Sequence, residues 1–193
     1  MEGKVYTAGE GKPPIWLQPI IAEKRMFDLD FFHFTNLLDW SKQGDDKKVL
    51  EPLIAFLAKW GDEVIFAFDD KMAELLYALD TREIANRMNK KGTDFFSPDA
   101  FLYARCVALV NGKPFYTAIL KGRKKLKWET EFESILYVPI QAWARLHDKN
   151  KDEYPHITKH SYETFSNIAG WEETENSCIL QRISGIRSKS VDF

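Results

Sequence analysis

SPDAFLYARCVALVNG, residues 97–112, carries helix punctuation at both ends. Ser97 stands where an N-cap hydroxyl accepts from the first unpaired backbone N–H groups. Pro98 follows at the first helical position, where its missing N–H costs nothing. Asp99 adds a negative charge at the positive end of the helix. Asn111-Gly112 is a stop pair, because glycine turns left-handed most easily. From Phe101 to Val110 every side chain is apolar or aromatic except Arg105. A helix apolar on all sides is buried on all sides, so about 98–111 is predicted to be the central helix of one all-α domain.

Working outward, Asp28 caps a predicted helix over 29–42, with Phe31, Phe34, Leu37 and Leu38 at helical spacing and Gly44 at its end. Asp45-Asp46 opens a second, running to Lys59, in which Pro52 predicts a kink or a late start. A third, over 62–78, turns Ile65, Phe68, Met72, Leu75, Leu76 and Leu79 inward and is read as leaving Asp69, Asp70 and Glu74 on the outer surface. Asp80-Thr81-Arg82-Glu83 has the form of a capping box for a short helix ending near Met88. Downstream, Pro114 starts a short helix with Tyr116 and Ile119, stopped by Gly122. The pattern resumes at Glu131, where Pro139 should split it. A last element is predicted over 160–169, on Tyr162, Phe165 and Ile168. The helical domain is thus bounded at 27–170. Residues 1–26 read as a flexible leader whose end is anchored by Trp16, Leu17, Ile20 and Ile21, extended because of its prolines. Residues 171–193 read as a polar tail with a short strand at Ser177–Ile183.

The length of 193 residues suits one domain with a sizeable core. Six Trp and fourteen Phe can fill gaps between crossing helices without disulfides. A net charge of −2 provides no global attraction for nucleic acid or anionic membrane. The two cysteines, Cys106 and Cys178, have no metal-type spacing, and Cys106 reads as a small buried hydrophobe. No signal-peptide pattern and no run of about 18 apolar residues occur, so a cytoplasmic protein is expected.

Arg105 is the one charge that burial makes consequential: its guanidinium must find a carboxylate, carbonyls, water or a ligand anion. Asp80 is the first candidate acid, Glu83 or Asp99 the next, and Tyr116 lies within reach of the same region. The alternative is an anion or carboxylate pocket at Arg105, serving a small-molecule-binding protein or an unrecognised enzyme. His156 and His160 stand four apart, but Pro155 and Ile157-Thr158 disfavour a helix, and solvated loop histidines are expected rather than a metal site. No cofactor motif is present and none is expected. The basic run Lys121, Arg123, Lys124, Lys125 and Lys127, flanked by Trp128, imitates a nucleic-acid patch, although a basic loop after a helix C-terminus also answers the helix dipole. Trp40, Trp60, Trp128 and Trp171 fall at helix ends or connections, and aromatics beside Lys124 and Lys125 have the composition of a protein interface. A non-catalytic protein-interaction module with an unidentified protein partner is the expectation, and nucleic acid binding through 121–127 the lesser alternative.

Asp99, Phe101 and Arg105, followed by Gly112 and Tyr116, match an Asp-x-Phe-x-x-x-Arg…Gly-x-x-x-Tyr pattern. With Tyr77 and Asp80 upstream, Phe31-Phe32 in the entry helix and Leu136-Tyr137-Val138 downstream, residues 28 to 143 resemble the uncharacterised bacterial domain-of-unknown-function family 4240. The Lys121–Lys127 loop reads as an addition to the family pattern. The resemblance implies a mostly helical domain and no activity.

Overall fold

Helix α3 (Asp46–Trp60) and helix α4 (Asp62–Leu79) are separated by a single residue, Gly61, at φ 91° and ψ −178°. That combination is open only to glycine, and it lets two long helices reverse without a loop. They follow two short helices, α1 (Gln18–Glu23) and α2 (Asp28–Thr35), and precede α5 (Arg82–Met88), α6 (Pro98–Val110), α7 (Gly112–Leu120), α8 (Val138–His147) and α9 (Ile168–Trp171). The computed structural model describes residues 12–88 and 96–172, and among these there is no strand. The fold is all-α, a single domain. Among the described residues, no helix is long and apolar enough to cross a membrane.

α4 and α6 share the centre. α4 packs on α1, α2, α3, α6 and α8, and Val64, Ile65, Phe68, Met72, Leu76 and Leu79 are wholly buried along it. α6 starts as expected, with Ser97 Oγ accepting from Ala100 N–H at 3.2 Å and Pro98 at its first position. Phe101, Ala104, Arg105, Cys106 and Leu109 are fully enclosed, while Tyr103 and Val107 are only partly covered and line clefts. Phe31 stacks on Phe68 at 4.9 Å and Phe34 reaches the same ring at 5.9 Å, so the entry helix is fastened to α4 through aromatic rings.

Several expectations about elements change. The chain before α2 is helical rather than extended: Pro19 occupies the first turn of α1, where proline is tolerated, and Leu17 and Ile20 enter the core. The entry helix stops at Thr35. Asp39 then draws the chain into a separate 3-10 turn, Trp40–Lys42, by accepting from Ser41 N–H at 3.1 Å and Ser41 Oγ at 2.6 Å. α3 starts at Asp46, with Asp45 as its cap, and continues through Pro52. Pro139 does divide the downstream pattern, into a 3-10 turn (Glu133–Tyr137) and α8. No helix spans 160–169. After a 3-10 turn at Lys151–Glu153, the chain lies as an irregular strap over α4 and α6 until α9, with Phe165 at φ 74°. Cys178 and the strand expected at 177–183 lie outside the described residues.

Candidate functional site

α4 ends in the interior, so its last carbonyls need donors that solvent cannot supply. Arg105 supplies one: its Nη1 donates to Leu76 C=O at 2.9 Å. Tyr116 Oη donates to the neighbouring Leu75 C=O at 3.0 Å, and Asn167 Nδ2 to Tyr77 C=O at 3.1 Å. The second arm of Arg105 is aimed at the strap, where Nη2 donates to Tyr162 C=O at 3.0 Å and to Thr164 Oγ1 at 2.9 Å. The Thr164 hydroxyl in turn donates a hydrogen bond to Pro98 C=O at 2.8 Å, tying the strap to the start of α6. The guanidinium also lies 4.8 Å from the Phe101 ring centre, a cation–π contact, while its Nε has no hydrogen-bond partner among the described residues.

Asp80 stands 3.9 Å from Arg105 Nη2, and both side chains are fully buried. Its oxygens are spent on the strap: Oδ1 accepts from Phe165 N–H at 3.2 Å and from the Trp171 indole N–H at 2.9 Å, and Oδ2 from Asn167 N–H at 3.0 Å. The backbone of 165–167 wraps the carboxylate as an anion nest, and this wrap holds Phe165 in its left-handed conformation. Gly170 comes so close that a Cβ there would sit 2.9 Å from Asp80 C=O. Burial lowers the Arg105 pKa to about 10, an effect that Asp80 opposes, so the charge persists at neutral pH. Arg105 and Asp80 therefore form a two-pronged latch. One holds the strap's carbonyl and hydroxyl oxygens, the other its N–H groups.

Glu83 is exposed and 3.5 Å from Arg87 on its own helix, away from Arg105. Asp99 is exposed on the first turn of α6. Tyr116 is buried against Phe32, and burial raises its hydroxyl pKa. Trp171 is half-buried, ringed by Phe96, Phe101 and Phe165, with its N–H committed to Asp80. Trp128 is half-buried at the end of the basic loop. Lys124 and Lys125 are exposed, Lys124 Nζ lying 5.0 Å over the Phe115 ring. Trp60 is buried, and Trp40 remains 44 % exposed.

The sequence placed Asp69 on the outer surface, but it is only 7 % exposed, because the strap covers that face of α4. Tyr154 Oη donates to its Oδ2 at 2.9 Å, and burial raises its pKa to about 6 despite that hydrogen bond. The histidines are not free loop groups either. His156 stacks on Phe66 at 4.6 Å and bonds to Asp70 at 3.1 Å, and His160 packs on Tyr77 at 4.7 Å. No group of three His, Cys, Asp or Glu among the described residues could hold a metal ion. Sequence periodicity missed Asp69, Tyr154 and His156; the clustered aromatics of 154–165 were their one available signal.

Two surface features remain open. A cleft of about 610 Å³ lies between α3, α6 and the 129–132 segment. Its apolar side includes Val49, Val107 and Phe132, with the Trp40 ring 5.4 Å from Phe132, and Asp46, Glu129 and Glu131 stand in its wall. A second groove consists of adjoining clefts of about 360 and 170 Å³ that share Leu136, Tyr162 and Glu163. Arg105, Asp80 and Tyr116 line neither feature.

Comparison with curated proteins and with solved structures gives no match. Residues 26–145 match the family described as "Protein of unknown function (DUF4240)", and the match stops before the strap begins. Spanning more than half of the chain, it takes in α2 to α7 together with Asp80, Arg105 and Tyr116. The chain belongs to the DUF4240 family of proteins of unknown function.

Proposed function

We propose that this bacterial, cytoplasmic protein is a non-catalytic binding module that seats a basic segment of a protein partner in the cleft beside Trp40. The observation that carries this reading is the exposed indole of Trp40 above an apolar floor, in a wall whose described residues include three carboxylates and no Lys, Arg or His. An aromatic face beside acidic groups suits a guanidinium or ammonium on an aliphatic stem, through cation–π attraction and ion pairing together. Large rings in partly desolvated pockets are also where interface energy concentrates. The exposed Lys124 and Lys125, a few residues before the cleft wall, would meet acidic groups at the rim of the same partner, with Trp128 closing the loop. Trp171 has a structural part in this reading, as the strap's anchor on Asp80. Nucleic acid is disfavoured because Asp46, Glu129 and Glu131 would repel phosphate next to the basic loop.

The test is fluorescence anisotropy with short labelled peptides, one set rich in Arg and Lys between aliphatic residues, one with those cations replaced by Gln. Basic peptides should bind the wild type, and Trp40→Ala should weaken them roughly tenfold, the worth of a well-placed cation–π contact. Glu131→Lys should act in the same direction while thermal melts stay close to wild type. Equal binding of basic and neutral peptides, or wild-type affinity in both variants, defeats the reading. Labelled single-stranded DNA that binds in place of the peptides and is lost in Lys124→Ala/Lys125→Ala would favour the nucleic-acid alternative.

A further inference from the structure

The cleft beside Trp40 calls for a particular occupant, and the chain carries one beyond Glu172, where the described residues end. Residues 179–189 read ILQRISGIRSK. Ile179, Leu180, Ile183 and Ile186 are interspersed with Arg182, Arg187 and Lys189, and no acid interrupts them. The cleft presents the complement. Its floor includes the buried Val49, Val110 and Phe132 beside a Trp40 ring that is 44 % exposed, and Asp46 and Glu131 stand in its wall. Aliphatic side chains between cations can cover such a floor while guanidinium groups reach the indole face and the carboxylates. The opposite charges match as well. Glu172, Glu173 and Glu175 precede the basic stretch, as the exposed Lys124 and Lys125 precede the acidic wall at 129–131.

The segment is long enough to reach. Trp171, anchored through its N–H to Asp80, has its ring 6.0 Å from that of Phe101 near the start of α6. The cleft opens at Val107 on the same helix, about 9 Å further along at 1.5 Å per residue. A path round half of a helix about 10 Å across adds about 16 Å. The chain from Glu172 to Arg182 extends to about 33 Å, more than the two together. A segment tethered this close has an effective concentration on the order of a millimolar, which favours it over the same segment of a separate copy.

We propose that residues 179–189 of this chain dock in its own cleft beside Trp40 and compete there with the basic segment of a partner. This self-docking rests on the binding reading given above and adds its regulation, because a partner then meets only the fraction of chains whose cleft is open. Asp80 gains a second use: by holding the Trp171 indole, it fixes the point from which the segment leaves the domain.

The affinity of the full chain for the labelled basic peptides tests this. Arg182→Gln/Arg187→Gln/Lys189→Gln should tighten their binding at least about fivefold, since the chain's own cations no longer fill the cleft. Lys12→Gln/Lys151→Gln/Lys159→Gln changes the net charge equally, at exposed positions outside the cleft, and should leave the affinity at wild type. Carbodiimide coupling of an equimolar mixture of ¹⁵N-labelled and unlabelled chains should join Lys189 to Asp46 or Glu131 within one chain, with no mixed-isotope product at that pair by mass spectrometry. Peptides that bind neither the wild type nor the 182/187/189 variant would defeat the cleft reading itself, and self-docking with it. Where the peptides do bind, equal affinity for those two proteins, or an equal gain in the control variant, would overturn self-docking alone. Mixed-isotope products would also overturn it, assigning the cleft to a second copy's segment, and so would the lack of any coupling between Lys189 and the wall.

Discussion

Replacing Arg105 by Ala removes three hydrogen bonds from a charged donor, to Leu76 C=O, Tyr162 C=O and Thr164 Oγ1, and the only cation within 4 Å of the buried Asp80 among the described residues. Charge-assisted hydrogen bonds are worth about 1.5–3 kcal/mol each, which would sum well above what is expected here. Two effects reduce the sum. The buried guanidinium was itself costly to desolvate, and Asp80 keeps its three N–H donors from Phe165, Asn167 and Trp171. Breaking a buried pair by removing one partner costs about 3–5 kcal/mol, so a loss of about 4 kcal/mol is expected. In urea, with a slope near 2 kcal/mol per molar, the midpoint should fall by about 2 M at pH 7. The latch adds a local consequence: Thr164→Val should be costly alone but much less so in the Arg105→Ala background, with a coupling of about 1.5–3 kcal/mol. Proteolytic cleavage within 154–167 should accelerate in either variant before the core opens. A midpoint shift under about 0.5 M, or additive losses in the double variant, would refute the latch.

Asp69 sets a pH signature. Its folded pKa of about 6 lies above the ordinary carboxylate value of 3.8, so the folded chain keeps a proton that the unfolded chain has released. Its contribution therefore falls as pH rises through that window, by roughly 3 kcal/mol, and is flat above it. Asp69→Asn should flatten the window and be the more stable protein at pH 7; urea melts with parallel pH profiles would contradict this. Gly61→Ala should cost about 1–3 kcal/mol by thermal melt, although the nearest atom to a new Cβ is 4.0 Å away, because the cost lies in the backbone conformation. Cys106 is fully buried and its thiol pKa is pushed to about 12, so in a Cys178→Ser background its reaction with a disulfide reagent should proceed only as fast as the domain unfolds. A rapid reaction there would show that α6 opens locally.

Much of this architecture is written locally. Ser97, Pro98 and the apolar run to Val110 define α6 wherever it ends up, because caps and 3.6-residue periodicity act within one or two turns. The burial of Arg105 was legible for the same reason: a charge inside such a run has no surface face to occupy. Asp80, the first candidate acid, does lie 3.9 Å from Arg105, but the groups that accept the arginine's hydrogen bonds were not legible. Tyr162 and Thr164 lie 57 and 59 residues further along the chain, in a segment without periodicity, and are held by side chains that bind backbone atoms. Any residue at 162 offers a carbonyl, so no sequence pattern encodes that bond. Asp69 shows the reverse case. On α4 alone it falls on the polar face, and the sequence placed it correctly for a helix in water. Only the strap, drawn across that face by Arg105 and Asp80, converts it into a buried carboxylate in a groove, since burial depends on what the rest of the chain lays over a helix and not on the helix itself.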